Sequence, residues 1–460
     1  MAHFDLAIIG TGSGNALVTP DFNDKSVAII ESGSFGGTCL NVGCIPTKMF
    51  VYAADVANTV AHADRYGIDA TLDGVRWSDI RNRIFGRIDP ISAGGKEYRV
   101  NGPNTTAFLG HATFVGPKRL RIDADHEPSG VEITAEQIVI AAGAQPTVPV
   151  AVRQSGVPFH TSDTVMRLDG LPERLIILGS GFIAAEFAHV FSALGSQVTV
   201  VARSNALLRK LDTEISARFT AIARQQWDVR LDTVLTKVSA NDSEVSLDFA
   251  DGGRVTGDVL LVATGRVPNT ERLGLDVAGI ATRQDGGVSV DAYGRTSVEG
   301  VWALGDVSSA HQLKHVANHE ARIVAHNLAH PGDLRSFDHR YVPAAVFTCP
   351  QIATVGLTEE QVKASGRSYV TTSQAYGDTA YGWAMEDTTG VCKVIADPAT
   401  GELLGAHVMG HQASNLIQPL IQGMSFGQTA REVARGQYWI HPALAEVVEN
   451  ALLGLELGPH

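Results

Sequence analysis

The sequence is poor in cysteine and has neither a long apolar run nor an evident targeting segment. Four cysteines in 460 residues are too few for the disulfide framework of a small secreted protein. The longest apolar runs, such as residues 259–263, are far shorter than the roughly 20 residues that a membrane-spanning helix needs. The N-terminus enters an apolar segment directly, without a basic region or a cleavage site, which indicates no signal peptide. We therefore expect a cytoplasmic protein without a membrane partner.

Basic clusters are also lacking. The net charge is −13 and no run of lysine or arginine stands out, which argues against nucleic acid or an anionic membrane as a partner. What the chain does contain is 44% hydrophobic residues and 47 glycines, a composition typical of an α/β enzyme with many tight turns. A chain of this length is too long for one core and predicts two to four domains.

Two of the four cysteines, Cys39 and Cys44, lie five residues apart in the segment GGTCLNVGCIPTK. In an unbroken helix their Cα atoms would be about 8.6 Å apart, whereas a relaxed disulfide needs less than about 7 Å. If the two thiols pair, the backbone must distort, and a strained disulfide is the labile, catalytic kind. Lys48 lies one helical turn beyond Cys44 and brings a positive charge near the two thiols. The alternatives are a structural disulfide or half of a zinc site, although no second Cys/His pair at ligand spacing is evident.

The segment LAIIGTGSGN, residues 6–15, reads as a buried strand that turns on glycine and leads to a helix N-terminus, where backbone N–H groups approach a pyrophosphate. The third motif glycine would fall at Asn15, and the motif is supported by Glu31, which ends the next apolar strand and is placed to bind a ribose. Because Pro20 follows closely, we expect the first helix to be short or irregular. The candidate dinucleotide-binding residues of this turn are Gly10, Gly12, Ser13 and Gly14.

A second module of the same kind covers residues 175–203. No Asp or Glu occurs from residue 196 to 211, where a ribose-binding acid would stand, and Arg203 and Arg209 are found instead. Positive charge at this place suits the 2′-phosphate of NADPH rather than NADH. The alternative is that both arginines are ordinary surface cations. The turn itself is formed by Gly179, Gly181 and Ala184, with Phe182 and Ile183 as further candidate cofactor contacts.

Two dinucleotide-binding modules beside a redox-ready cysteine pair suggest electron transfer from a nicotinamide to the cysteines, with a flavin as the intermediate carrier. Characteristic segments extend along the whole chain, namely GGTCLNVGC at 36–44, IAAGAQP at 140–146, ATGRVPN at 263–269, VWALGDV at 301–307 and IHPALAEVV at 440–448. Together they resemble the flavin-dependent pyridine nucleotide–disulfide oxidoreductases, the family of glutathione reductase and dihydrolipoamide dehydrogenase.

The resemblance implies an α/β fold with two Rossmann-like dinucleotide-binding domains and a C-terminal α+β dimerisation domain. We expect a first part of the FAD domain at 1–150, an NADPH domain at 151–265, a central segment completing the FAD domain at 266–338, and an interface domain at 339–460. The cofactors implied are FAD and NADPH.

The resemblance also implies roles for single residues. Lys48 would pair with Glu186 near the reactive edge of the flavin, and Asp306 would bind its ribityl chain. Phe182 stands where a tyrosine often gates the nicotinamide pocket. Further cofactor contacts are expected at Gly37, Thr38, Ala112, Gly143 and Gly265.

An acid–base pair is expected at His441 and Glu446, because a carboxylate on one imidazole nitrogen fixes the tautomer of the other. Pro442 biases His441 away from helical geometry. In the family this histidine serves the opposite subunit, which implies a homodimer. Cys44 would lie nearest the flavin, and Cys39 would attack the substrate disulfide.

Within the family, the local segments are most similar to the branch that reduces mycothione, an essentially uncharged small-molecule disulfide. Two other functions stay open: an NAD-dependent dihydrolipoamide dehydrogenase, and a flavoprotein of this fold kept as a binding partner without turnover. We expect Cys349 and Cys392 to be inert core thiols. His311, His315 and His319 are spaced four apart, and we interpret them as packing residues rather than as metal ligands.

Overall fold

The computed structural model describes residues 1–124, 127–241 and 244–458. The strands, in chain order, are β1 (Ala2–Ile9), β2 (Val27–Glu31), β3 (Thr105–Gly116), β4 (Arg119–Ala124), β5 (Glu127–Ile140), β6 (Ala144–Pro146), β7 (Arg174–Leu178), β8 (Gln197–Val201), β9 (Asp228–Arg230), β10 (Leu235–Ala240), β11 (Val245–Phe249), β12 (Arg254–Gly257), β13 (Val259–Val262), β14 (Arg266–Pro268), β15 (Val301–Ala303), β16 (Ala344–Val346), β17 (Gln351–Gly356), β18 (Val370–Ala375), β19 (Val391–Ala396) and β20 (Leu403–Gly410).

The α-helices are α1 (Gly37–Asn41), α2 (Cys44–Ala61), α3 (Trp77–Val100), α4 (Val150–Arg153), α5 (Phe182–Ala193), α6 (Thr213–Gln226), α7 (Lys314–Ala329), α8 (Glu359–Ser365), α9 (Ala380–Ala384), α10 (Ala413–Leu416), α11 (Gln418–Ser425), α12 (Ala430–Arg435) and α13 (Glu446–Leu453). Short 3₁₀ helices cover Gly14–Leu17, Pro20–Phe22, Ala63–Tyr66, Val165–Arg167, Gly305–Val307 and Tyr376–Asp378. Among the described residues, none of the helices combines the length and apolarity needed to cross a bilayer.

The first sheet contains a parallel layer in the order β3-β2-β1-β5-β15. The second half of β1 and nearly all of β2 are buried and apolar, as expected when helices or loops cover both faces of a parallel sheet. The far halves of β3 and β5 continue beyond this layer and pair antiparallel with β4. The carboxyl ends of β1 and β2 therefore meet at one edge, which is where open α/β sheets place their ligands.

A second parallel sheet, in the order β13-β7-β8-β9, repeats this arrangement in the middle of the chain. The helices α2 and α5 pack against each other beside the second parallel sheet, in a core that includes stacked aromatic rings. Trp77 stacks on Phe50 at 5.0 Å and on Phe191 at 5.4 Å between ring centroids. This packing fixes the distance between the start of α2 and the start of α5.

The C-terminal part is an antiparallel sheet, in the order β16-β17-β20-β19-β18, with the helices α10 to α13 packed against it. The α/β fold class predicted from the sequence, with two dinucleotide-type sheets and a C-terminal α+β part, is confirmed. The boundaries near residues 150, 265 and 338 stay a prediction.

Candidate active site

The backbone breaks between the two neighbouring cysteines. Cys39 lies in α1, which ends at Asn41, and Cys44 is the first residue of α2. The side chain of Asn41 holds the short helix in place, because its amide donates hydrogen bonds to the carbonyls of Phe35 (2.9 Å) and Gly37 (3.0 Å). The predicted distortion of the helical path therefore takes the form of a complete helix break, which lets the two side chains meet.

Cys39 and Cys44 are free thiols in this structure and interact directly. The hydrogen bond from the Cys39 thiol lowers the pKa of Cys44 to about 7, burial opposes this shift, and the charge of Lys48 supports it. The same hydrogen bond, together with burial, raises the pKa of Cys39. The position of Cys44 at the N-terminus of α2 also favours a thiolate. The pair therefore shares one proton, with the negative charge on Cys44.

An ion pair joins α2 to α5 next to the cysteines. Lys48 Nζ lies 2.6 Å from Glu186 Oε2, and the Glu186 side chain is only 4% exposed. The second carboxylate oxygen, Oε1, accepts a hydrogen bond of 3.0 Å from the backbone N–H of Phe347. The Lys48 ammonium lies 4.7 Å from the centre of the Phe347 ring. The structure thus brings together the lysine and the glutamate, which the sequence analysis paired.

Close backbone approaches shape the glycine-rich turn after β1. Gly10 has φ +104°, and a Cβ there would meet the Ala141 carbonyl oxygen at 2.4 Å. Gly37 has φ +65°, and its Cβ would lie 2.7 Å from the Cα of Gly12. Both places require glycine, because any side chain would collide with backbone. Gly14 opens a 3₁₀ helix of four residues, which confirms the expected short and irregular first helix.

Glu31 is held in a fixed orientation at the end of β2. Its Oε2 accepts hydrogen bonds from Thr11 N (2.8 Å) and Thr11 Oγ1 (2.6 Å), and its Oε1 accepts one from Gly33 N (2.8 Å). The carboxylate therefore stands beside the turn that follows β1, where the sequence analysis placed a ribose ligand.

Asn15 stands where the motif has its third glycine, and the structure explains this substitution. The guanidinium of the buried Arg99 donates hydrogen bonds to Asn15 Oδ1 (2.6 Å) and to the Asn15 carbonyl (2.7 Å). Lys314 Nζ donates to Ser13 Oγ at 2.9 Å. Arg99 and Lys314 were not predicted from the sequence, in which the one available signal was that Lys314 follows the predicted flavin ligand Asp306 closely.

The remaining predicted cofactor positions differ in their surroundings. A Cβ at Gly143 or Gly181 would meet nothing within 4 Å, so both glycines face open space. Burial raises the pKa of Asp306, which lies in the 3₁₀ helix that follows β15. Phe182 is 46% exposed at the first position of α5. Of the others, Thr38 lies in α1, Ala112 is buried in β3, Gly179 begins the turn after β7 with φ +146°, Ile183 follows Phe182 in α5, and Gly265 has φ +134°.

Arg203 and Arg209 lie in the segment between β8 and α6, and both are exposed. This segment is hydrogen-bonded to the second glycine-rich turn, because Leu208 N donates to the Ser180 carbonyl at 2.8 Å and Ser204 Oγ donates to Ser180 Oγ at 2.9 Å. Two exposed cations are thereby carried on a backbone that is hydrogen-bonded to the dinucleotide turn.

His441 and Glu446 form a second polar pair near the C-terminus. His441 Nδ1 lies 2.7 Å from Glu446 Oε1, and Glu446 Oε2 accepts a hydrogen bond of 3.2 Å from Ala443 N. The hydrogen bond with His441 lowers the pKa of Glu446, so the carboxylate stays ionised and favours the tautomer with its proton on Nδ1. The His441 side chain is 70% exposed. No hydrogen bond or ion pair within the described part of this chain links it to Cys39 or Cys44.

The three histidines of residues 311–319 make separate contacts. His311 packs on the His339 ring at 5.5 Å, His315 Nε2 lies 2.8 Å from the Pro343 carbonyl, and His319 Nε2 accepts a hydrogen bond from a backbone N–H. Within the described ranges, no three His, Cys, Asp or Glu side chains are grouped so that they could hold a metal ion.

The two remaining cysteines lie apart from the site. Cys392 is fully buried, and burial raises its pKa to about 12. Burial also raises the pKa of Cys349, whose sulfur accepts a hydrogen bond of 3.4 Å from Asn58 Nδ2. These environments disfavour thiolates, as expected of core thiols.

Comparison with known proteins agrees with this geometry. The sequence profile of the pyridine nucleotide-disulphide oxidoreductases matches residues 4–321, and the profile of their dimerisation domain matches residues 342–452. The chain belongs to this family. Its cofactors are FAD and NADPH. When bound, FAD would lie along the turn of Gly10 to Gly14 with Glu31 and Asp306, and NADPH along the turn of Gly179 to Ile183.

Curated relatives within the family show where similarity is strong. The chain is 58% identical to the mycothione reductase of Mycobacterium tuberculosis, over 99% of this chain and 100% of that one. It is 32% identical to the dihydrolipoyl dehydrogenase of Corynebacterium glutamicum, over 98% of both chains. Among solved structures, the HOCl-induced flavoprotein disulfide reductase RclA from Escherichia coli has a TM-score of 0.86 and 29% identity, covering 98% of this chain and 99% of that chain.

Proposed function

We propose that this protein reduces mycothione to two molecules of mycothiol with electrons from NADPH. The observation that carries the proposal is the 58% identity to a mycothione reductase along the full length of both chains. The relationship to a dihydrolipoyl dehydrogenase, at 32% identity, is much more distant. The paired thiols, the Lys48–Glu186 ion pair and the His441–Glu446 pair supply the chemistry that such a reaction needs.

The chemistry that bound FAD supplies is the transfer of two electrons from NADPH to the Cys39–Cys44 disulfide. Cys39 then attacks one sulfur of the substrate disulfide; a new S–S bond forms, the substrate S–S bond breaks, and one thiolate leaves. His441 protonates that thiolate, because its Nδ1 is held by Glu446 and its Nε2 is left to carry the transferred proton. Cys44 finally attacks Cys39, which releases the second mycothiol and restores the internal disulfide.

The assignment of Cys44 as the resting thiolate fits this order. Its pKa of about 7 makes about half of Cys44 a thiolate at pH 7, and Lys48, held by Glu186, places a positive charge one helical turn away. Cys39 keeps the shared proton until the substrate enters. When the substrate enters, Cys39 gives its proton to His441 Nε2 and attacks as the thiolate, and His441 passes that proton to the departing mycothiol thiolate.

We further propose that His441 of one subunit completes the site of the other. His441 is 70% exposed, it is not bonded to the cysteines of its own chain, and it lies within the segment that matches the dimerisation domain. Neighbouring apolar side chains are also left uncovered: Tyr438 is fully exposed and Ile440 is 76% exposed. Large apolar side chains that are left this exposed next to His441 fit a surface that a second subunit covers.

The substrate is proposed to be held mainly by hydrogen bonds. Mycothione is the disulfide of an acetylcysteinyl amide of a glucosaminyl-inositol and is essentially uncharged, so cationic clamps for carboxylates are not needed. The stretch from Thr11 to Phe35, beside the cysteines, contains one Lys or Arg, Lys25. Because the reaction consumes NADPH, a reductant of the cell interior, we propose that the protein works in the cytoplasm.

The test of the substrate is steady-state NADPH oxidation by the purified FAD-loaded protein with mycothione, glutathione disulfide and lipoamide as separate acceptors. The proposal expects turnover with mycothione and little with the other two. Preference for lipoamide together with NADH would instead establish a dihydrolipoamide dehydrogenase.

The test of the shared site uses mixed dimers of Cys39→Ser and His441→Ala chains. If the histidine crosses to the other subunit, each mixed dimer contains one intact site, and an equal mixture regains about a quarter of the wild-type activity. If the histidine serves its own chain, every site carries a mutation and the mixture stays inactive.

A further inference from the structure

A buried lysine that the reaction does not use lies between the nucleotide-binding part and the C-terminal sheet. Lys393 is in β19 and is 2% exposed. Three carboxylates surround its ammonium group: Nζ lies 2.7 Å from Glu359 Oε2, 2.9 Å from Asp212 Oδ1 and 3.5 Å from Glu214 Oε2. Lysine is almost never fully buried unless it is paired. Its burial here serves the contact between these two parts of the chain.

Asp212 is the centre of this contact and is fully buried. Its Oδ1 caps α6 by accepting a hydrogen bond of 3.1 Å from Glu214 N, and its Oδ2 accepts one of 3.0 Å from Glu359 N at the start of α8. Burial opposes ionisation, but the hydrogen bonds from Glu359 N and Lys393 outweigh it and hold the pKa of Asp212 below its usual range. The carboxylate thus ties the start of α6 to the C-terminal part.

Asp212 ends the segment that carries Arg203 and Arg209. The other side of that segment is tied to the second glycine-rich turn by the hydrogen bonds of Leu208 and Ser204 to Ser180. Arg209 therefore directly follows one fixed residue, Leu208, and lies three residues before the other, Asp212. Its backbone position depends on both anchors.

We propose that Lys393 is a positioning residue for recognition of the 2′-phosphate of NADPH, because it holds Asp212 and thereby the segment that presents Arg209. This inference rests on the proposed phosphate-binding role of Arg203 and Arg209. Without the ammonium group, three carboxylates would face one another with only the exposed Lys363 and Arg218 on the outer oxygens of Glu359 and Glu214, and the start of α6 would move because the buried Asp212 would lose its cation. The dinucleotide turn at Ser180 would stay in place. The variant would therefore lose affinity for the 2′-phosphate and keep its affinity for the rest of the nucleotide.

The experiment is calorimetric titration of the FAD-loaded dimer with NADP⁺ and, separately, with NAD⁺. Replacing Lys393 by Met is expected to weaken NADP⁺ binding by about tenfold, the effect of displacing one charge-assisted hydrogen bond to phosphate, and to change NAD⁺ binding by less than twofold. Lys363→Met is the matched control: this lysine is 69% exposed, lies 3.9 Å from Glu359 on the solvent side, and its loss should change neither affinity.

A second variant decides the matter if Lys393→Met does not fold. Asp212→Asn keeps the shape and an oxygen for capping but removes the charge that Lys393 holds, and the same selective loss of NADP⁺ affinity is expected. Equal weakening of both nucleotides, or unchanged affinities in a folded variant, would overturn the inference. The Arg203→Ala/Arg209→Ala double variant separates the two proposals: if it does not selectively weaken NADP⁺ binding, the phosphate site itself is wrong. If the double variant selectively weakens NADP⁺ binding but the Lys393 and Asp212 variants do not, only the anchoring role is wrong.

Discussion

Removal of the Cys39 thiol is expected to raise the pKa of Cys44 and to slow its reaction with electrophiles at neutral pH. In the reduced protein the Cys44 pKa is about 7, against 9.0 for an ordinary thiol. At pH 7 half of Cys44 is thiolate, compared with about 1% of an ordinary thiol, a ratio of about 50. A thiolate of lower pKa is less nucleophilic by about six- to tenfold over two pKa units. Cys44 should therefore react about five to eight times faster than an ordinary exposed thiol.

The assay is the rate of iodoacetamide alkylation between acid and alkaline pH, with the modified peptide identified by mass spectrometry. The rate at Cys44 should rise through a midpoint near pH 7, because the thiolate forms as pH increases. Cys39→Ser keeps a hydroxyl donor and should leave the midpoint low, whereas Cys39→Ala removes the donor and should raise it most. Lys48→Met should raise it less, since its charge contributes less than the hydrogen bond. A midpoint that stays near 7 in Cys39→Ala, or that shifts more in Lys48→Met, would refute this reasoning.

Three further substitutions test other parts of the site. His441→Ala should lower disulfide turnover by about 10²–10⁴-fold while NADPH still reduces the cysteine pair, and rapid-mixing spectroscopy separates the two steps. Glu186→Ala should destabilise the fold by about 2–3 kcal/mol in denaturant titration, because Lys48 loses its partner; an unchanged midpoint would contradict the ion pair. Gly37→Ala places a Cβ 2.7 Å from the Gly12 Cα and should abolish FAD retention, measured as flavin absorbance relative to protein.

Features that depend only on short stretches of sequence could be predicted. The strand–glycine–helix turns, the acid at Glu31 and the broken first helix follow from local spacing, since each depends on residues within about one βαβ unit. The proximity of His441 and Glu446 likewise needs only five residues of chain. The pairing of Lys48 with Glu186, 138 residues apart, was accessible only through the family resemblance.

Contacts between distant segments had no such signal. Arg99 bonds to Asn15, which stands in place of the third motif glycine, across 84 residues, and Lys393 bonds to Asp212 across 181 residues. Hydrophobic periodicity predicts which face of a helix or strand is buried. It does not predict which polar side chain of another domain will contact that element. A lysine inside the apolar strand VCKVIA indicates a buried partner, yet its identity follows only from the packing of α6 and α8 against β19.

The most direct test of the central claim is to trap the intermediate on Cys39. In a Cys44→Ser protein the second attack is blocked, so incubation with mycothione should release one mycothiol per subunit. The protein should gain the mass of one mycothiol residue, located on the Cys39 peptide. The Cys39→Ser protein should gain none, because Cys44, although it remains a thiolate, is expected to lie against bound FAD, where mycothione does not reach it and the smaller iodoacetamide does. An adduct on Cys44 in the Cys39→Ser protein, or no adduct in either protein with mycothione, would contradict the account.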